Sequence, residues 1–229
     1  MATAKRGAGW RSGRRGMGTR PVQMTRHLVV SEGTETEPRY FEGLRDALGA
    51  ANGRKLAVVV KGSGLHTLDL LEWAQEYCRR APDTFDHVWL VFDKDDFPAA
   101  DFDETGRRCE ALGSSPTFHA LWSNPCFELW PLLHLRYTTA PMDAATCQRA
   151  LADALSRELG RPYAKNMDGL FGALEPLRPV AEGNVAKLEG HHESLGNGRP
   201  SEMVPCTRVG DIFREIGPYL RGGGGDAGK

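Results

Sequence analysis

Through Leu135 the chain switches repeatedly between two hydrophobic patterns. Arg26–Ser31 (RHLVVS), Lys55–Lys61 (KLAVVVK), His87–Phe92 (HVWLVF) and Pro116–Ser123 (PTFHALWS) are short runs rich in Val, Leu and aromatics. Bounded by polar and turn residues, such runs read as strands buried on both faces. Between them the apolar residues follow helical spacing. Tyr40, Phe41, Leu44 and Leu48 share a face of a helix that Thr36 caps, with Pro38 near its start, and that stops near Gly49 to Gly53. Further helices are expected over Thr67–Arg80 and Asp103–Leu112, and one opens with CFELWPLLH, capped by Asn124, with Pro125 in its first turn and bent or shortened by Pro131.

Strands alternating with helices predict an α/β fold with a mostly parallel four-stranded sheet and right-handed crossovers. After Tyr137 only helical periodicity remains: Ala144–Leu159, Leu170–Leu174, Val180–Glu189 and Val209–Leu220, with a loop over Gly190–Pro205. The expected organisation is a basic arm over 1–25, an α/β core over 26–137, a helical C-terminal part over 138–220 packed on that core, and a glycine-rich tail over 221–229.

Composition narrows the picture. With 229 residues, 40% of them hydrophobic, the chain can bury a real core. No apolar stretch is long enough for a membrane span and no signal-peptide pattern opens the sequence, so a cytoplasmic protein is expected. The five cysteines include no pair at metal-ligand spacing and are odd in number, which favours reduced thiols. Net charge is −1, but no acid precedes Glu32, while Lys5, Arg6, Arg11, Arg14, Arg15, Arg20 and Arg26 do. Such an arm either solubilises the chain or adds salt-sensitive attraction to nucleic-acid phosphates.

Candidate chemistry sits where strands end. The third strand breaks into three acids, Asp93, Asp95 and Asp96 (FDKDDF), Glu32 follows the first strand, and Glu128 lies just past the fourth. Open α/β sheets bind ligands at the carboxyl ends of their strands. Crowded carboxylates repel one another, and a hard divalent cation such as Mg²⁺ relieves that repulsion through oxygen ligands. In an extended chain Asp93 and Asp95 point to the same side and are the expected ligands. Asp96 and Glu37 rank second, as a turn cap and a helix-start residue. Acids after strands also occur as plain loop or cap residues. Gly62-Ser63-Gly64 reads first as a tight turn and second as a phosphate contact. His191-His192 lies in a glycine-flanked segment and is expected exposed; Phe127 and Trp130 are expected in the core.

An acid after the first strand and Asp-x-Asp after a later one resembles the Toprim domain. In their flanking text, VVSEGTETEPRYFEGL, VWLVFDKDDF and WSNPCFELWPLLH resemble successive motifs of the RloB-like family. Pro162 to Asn166 resembles that family's Tyr-x-Lys element. Asn197-Gly198-Arg199-Pro200-Ser201 is a partial echo of its Asn-Pro-Ser-Thr element, interrupted and without the Thr. The resemblance implies a Toprim-like fold, a prokaryotic origin and a role in defence against phage or other mobile DNA, often beside a partner ATPase.

The expected activity is Mg²⁺- or Mn²⁺-dependent phosphodiester hydrolysis of DNA or RNA. Asp93 and Asp95 would hold metal, Glu32 would share it or act as general acid/base, Glu128 would complete a second site, and Lys165 would neutralise phosphate charge. Two competitors stand beside this reading. An aspartate-nucleophile phosphatase also carries Asp-x-Asp, but after its first strand. The other is a non-catalytic nucleic-acid-binding or sensor subunit of a defence system.

Overall fold

The computed structural model describes residues 24–53, 55–113 and 115–220. Most of the basic arm and the glycine-rich tail lie outside them.

Five strands form one sheet in the order β2-β1-β3-β4-β5: β1 Thr25–Ser31, β2 Leu56–Gly62, β3 His87–Asp93, β4 Thr117–Asn124 and β5 Cys206–Thr207. The first four are parallel, and the two-residue β5 pairs antiparallel with Ser123 and Asn124. Four strands were expected; the fifth arises because the C-terminal segment returns to the free edge of β4. The parallel strands are buried as their composition requires: Leu28, Val29, Val30, Val88, Leu90 and Val91 are all at 0% exposure.

Three crossover helices, α1 Thr36–Asn52, α2 Thr67–Arg80 and α3 Ala99–Ala111, link the parallel strands. α2 and α3 pack together on one face, against β3 and β4 respectively. α1 covers the other face together with α4 Leu129–Leu135, α5 Ala144–Leu159, α6 Leu170–Leu174, α7 Arg178–Ser194 and α8 Ile212–Leu220. The C-terminal helices thus extend one continuous hydrophobic core rather than building a second one. Trp130, at 0% exposure, donates its indole N–H to the Tyr40 hydroxyl (2.7 Å) across this interface, and Phe127 is equally enclosed.

Several local expectations change. Thr36 is the first residue of α1, not its cap, and its hydroxyl donates to the Lys165 carbonyl at 2.8 Å. The regular helix yields at Gly49, whose φ of 60° suits glycine. α3 begins four residues before Asp103. Asn124 ends β4, and its amide donates to the carbonyls of Pro200 and Ser201 (3.1 and 3.3 Å), so it does not cap the next helix. That helix, α4, has only seven residues, with Pro131 in its first turn. The loop expected over Gly190–Pro205 is helical up to Ser194. His192 is 2% exposed, with Nε2 on the Pro205 carbonyl (3.0 Å) and Nδ1 beside the Asn197 amide (3.0 Å), which corrects its assignment to solvent.

Candidate active site

From β1 the chain crosses to β2 on one side, and from β3 to β4 on the other. The direction of winding therefore reverses between the adjacent strands β1 and β3. A crevice opens at such a switch point, beyond the carboxyl ends of the two strands. Here Glu32 follows β1 and Asp93 ends β3. The Glu32 N–H donates to the Val91 carbonyl (2.9 Å), which fixes the two ends in register.

The crevice is a cavity of about 370 Å³ whose lining includes Glu32, Glu37, Asp93, Asp95, Glu128 and Lys165. All five residues expected from the sequence, Glu32, Asp93, Asp95, Glu128 and Lys165, therefore line one cavity. Each arrives by a different device.

Asp93 is half-buried as a residue, but one of its carboxylate oxygens is fully enclosed. Its Oδ2 accepts the Phe127 N–H at 3.0 Å, while Oδ1 is buried with no partner. Burial, then the negative charge of Glu37, pushes its carboxyl well above the usual aspartate range, against the opposing Phe127 bond. Glu32 holds His66 Nδ1 through Oε1 at 2.5 Å, and its Oε2 lies 3.5 Å from the Asp93 amide. Burial raises the Glu32 carboxyl too, despite the help of His66. Glu128, 5% exposed, accepts the Tyr163 O–H at 2.8 Å. Burial and that neighbouring carboxylate push the Tyr163 hydroxyl up, so it remains a donor. Lys165 is exposed at the rim, its segment held by the Thr36 bond to its carbonyl.

Asp95 behaves differently from the extended-chain expectation. β3 ends at Asp93, so the period-two alternation stops there. Asp95 sits in a turn with φ 34°, its N–H on the Pro125 carbonyl (2.9 Å), and its side chain is exposed at the mouth. Asp96 is exposed and lines a neighbouring depression instead.

Two further residues belong to the site. Glu37 is 8% exposed, and its carboxyl is raised by burial and by the charges of Glu128 and Glu32. Its carboxylate packs where a Cβ on residue 33 would sit, which explains Gly33. His66, 34 residues from Glu32 in sequence, pairs with it only once β1 and β2 lie side by side. The glycine turn after β2 makes this approach possible. The N–H groups of Ser63 and Gly64 donate to the carbonyls of Ser31 and Glu32 (both 3.0 Å). They are occupied by the chain itself, so the tight-turn reading of Gly62-Ser63-Gly64 holds and the phosphate-contact reading does not.

Four largely enclosed carboxylates cannot all ionise comfortably side by side. Two unit charges about 4 Å apart repel by about 4 kcal/mol at an effective dielectric of about 20. The donor set is all oxygen, and the bare Oδ1 of Asp93 lacks a protein donor, so the residues fit a hard divalent cation. The acids do not form a closed cage: among the described residues no three His, Cys, Asp or Glu side chains are drawn together closely enough to hold an ion as they stand. Asp93 and Glu128 each give one oxygen to a protein donor, whereas Glu32 engages both, Oε1 with His66 Nδ1 and Oε2 through a long 3.5 Å contact with the Asp93 N–H.

No curated protein matches the chain. The family model described as RloB-like protein matches residues 27–216, from β1 into α8, and the chain accordingly belongs to the RloB-like family.

Proposed function

We propose that this chain is a divalent-metal-dependent nuclease with a Toprim-like fold that hydrolyses phosphodiester bonds of DNA or RNA using Mg²⁺ or Mn²⁺. The observation that carries the reading is the buried, unpartnered Oδ1 of Asp93 beside Glu32, Glu37 and Glu128 at the switch point of the sheet.

Asp93 and Glu32 are the primary metal ligands in this reading, with Asp95, Glu128 and Glu37 completing the oxygen set. A cation held there would supply Lewis-acid polarisation of the phosphate and a more acidic bound water. The chain's own residues do the rest. Glu32, oriented by its hydrogen bond to His66 Nδ1, shares the cation with Asp93. Tyr163 positions Glu128. Lys165, exposed at the rim, meets phosphate charge as the substrate enters. A role as effector in prokaryotic defence, beside a partner ATPase, rests on the family resemblance.

Purified protein incubated with plasmid DNA and with total tRNA, in Mg²⁺, Mn²⁺ or EDTA, tests the proposal. Cleavage is expected with metal, is lost in EDTA, and is lost in Glu32→Ala and in Asp93→Ala while their circular dichroism stays that of the wild type. Cleavage that persists in both variants contradicts the assignment.

A further inference from the structure

Among the described residues, the largest cavity lies away from the acidic site, along the outer edge of β4. It measures about 790 Å³, and its lining includes Phe118, Ala120 and Trp122. The two-residue β5 covers only Ser123 and Asn124, after which the chain turns away, with the Arg208 N–H on the Trp122 carbonyl (2.8 Å). That bond fixes the polarity of the edge. The Ser123 carbonyl accepts the Lys94 N–H (2.8 Å) on the β3 side, and backbone groups alternate along a strand. The N–H and C=O of Phe118 and Ala120 therefore point outward, as the Trp122 carbonyl does. Among the described residues no backbone group pairs with them. An edge of this kind is a template for one more strand, and folded proteins seldom leave it bare. A segment that adds there gains main-chain hydrogen bonds, while the groove walls select its side chains.

Those walls are acidic on both faces of the sheet. Glu110 stands in the last turn of α3, on the face where the Phe102 and Trp122 rings meet edge to face. Glu193 of α7 and Glu215 of α8 flank the other face, where His119 stacks on Trp89. All three glutamates are exposed and have no ion-pair partner among the described residues. The two arginines of the groove bring no surplus, since Arg208 pairs with Glu189 and Asp211, and Arg214 with Asp211. Successive residues of an added strand point to the two faces in turn. Neighbouring basic residues would thus meet Glu110 on one face and Glu193 and Glu215 on the other. A second copy paired edge to edge would instead bring these glutamates together, like charge against like charge.

We propose that this edge receives an extended, basic segment of a second protein, which adds as a strand beside Phe118–Leu121, antiparallel to β4 as β5 is. The open stretch is about 13 Å long, which about four residues fill. The groove shares no lining residue with the acidic crevice, so this surface stands or falls independently of the proposed nuclease site.

Residue-resolved amide exchange of the full chain at low salt, with and without a synthetic peptide of Lys-Arg pairs spaced by valine, tests this. The saturating peptide is expected to slow exchange of the Phe118 and Ala120 amides at least tenfold and to leave Leu90 and Phe92 on β3 unchanged. Glu193→Gln/Glu215→Gln should weaken peptide binding by about fivefold, with exchange on β3 still that of the wild type, reporting an intact sheet. A fully N-methylated copy of the peptide keeps its charge but has no N–H to donate, and should give no protection. Unchanged exchange at Phe118 and Ala120, or equal protection by the methylated peptide, overturns the proposal. So does protection in the absence of peptide: a rise with protein concentration would assign the groove to a second copy, and its loss on removing residues 1–23 would assign it to the chain's own arm.

Discussion

Asp93 is held by one backbone donor and faced by three carboxylates, an arrangement that costs the free protein stability and that a cation would relieve. The sign of the effect follows from linkage. Its carboxyl binds a proton more readily in the folded chain than in the unfolded one, because burial and Glu37 oppose ionisation. Its contribution is therefore most favourable at acid pH and is lost as pH climbs above the ordinary aspartate value of 3.8 towards the raised folded one. Asp93→Asn keeps an acceptor for the Phe127 N–H and removes the charge. The metal-free variant should melt above the wild type at neutral pH, by on the order of 1 kcal/mol or more, with the gap shrinking towards pH 4. A gap that is absent, or that widens on acidification, would show Asp93 to be comfortably ionised. At Glu128, Tyr163→Phe removes a 2.8 Å hydrogen bond to a carboxylate. Chemical denaturation should record a loss of about 1–2 kcal/mol, and cleavage should fall further than that stability change explains.

Among the elements, the turn after β2 and the loop after β1 act as one unit. A Cβ on Gly62 would lie 2.8 Å from the Gly33 carbonyl and 2.9 Å from Pro38 Cγ. Gly62→Ala must therefore move the loop that carries Glu32 and Glu37. A stability loss of about 1–3 kcal/mol in urea is expected, together with reduced metal affinity; unchanged affinity would mean that the loop does not set the site. How far the elements were legible depended on how much pattern each carried. The four parallel strands announced themselves because runs such as HVWLVF are buried on both faces, and Glu32, Asp93 and Glu128 stood out as candidates because they follow those runs. β5 is two residues, Cys206 and Thr207, too short to carry a period. The end of α7 was hidden because Gly190 and two histidines interrupt its apolar pattern, although His192 proves buried. Glu37 ranked only second in the sequence and His66 not at all, because both join the candidate site through tertiary placement: one by the angle at which α1 leaves the loop, the other by strand pairing.

At the scale of the whole molecule, the C-terminal helices close the fold around the site rather than forming a separate body. From the segment between α5 and α6, Tyr163 reaches Glu128 and Lys165 lines the cavity, and α8 packs back on α1. Metal binding should thus be felt globally. A ligand that binds only the folded state at 100 times its dissociation constant stabilises by about 2.7 kcal/mol. For a chain of this size that is roughly 5–10 °C in melting temperature. Mg²⁺ or Mn²⁺ should raise the midpoint by that order and EDTA should reverse it, whereas Asp93→Asn should show no such rise.

The central claim is that these carboxylates form a divalent-cation site, and metal binding can be measured whether or not cleavage needs a partner. Calorimetric titration of Mn²⁺ into the wild type, Glu32→Gln and Asp93→Asn is the most direct measurement. Saturable binding to the wild type that weakens at least tenfold in each variant, about 1.4 kcal/mol or more, is the predicted result. Wild-type affinity retained in both variants, or no binding to the wild type at all, would contradict the account.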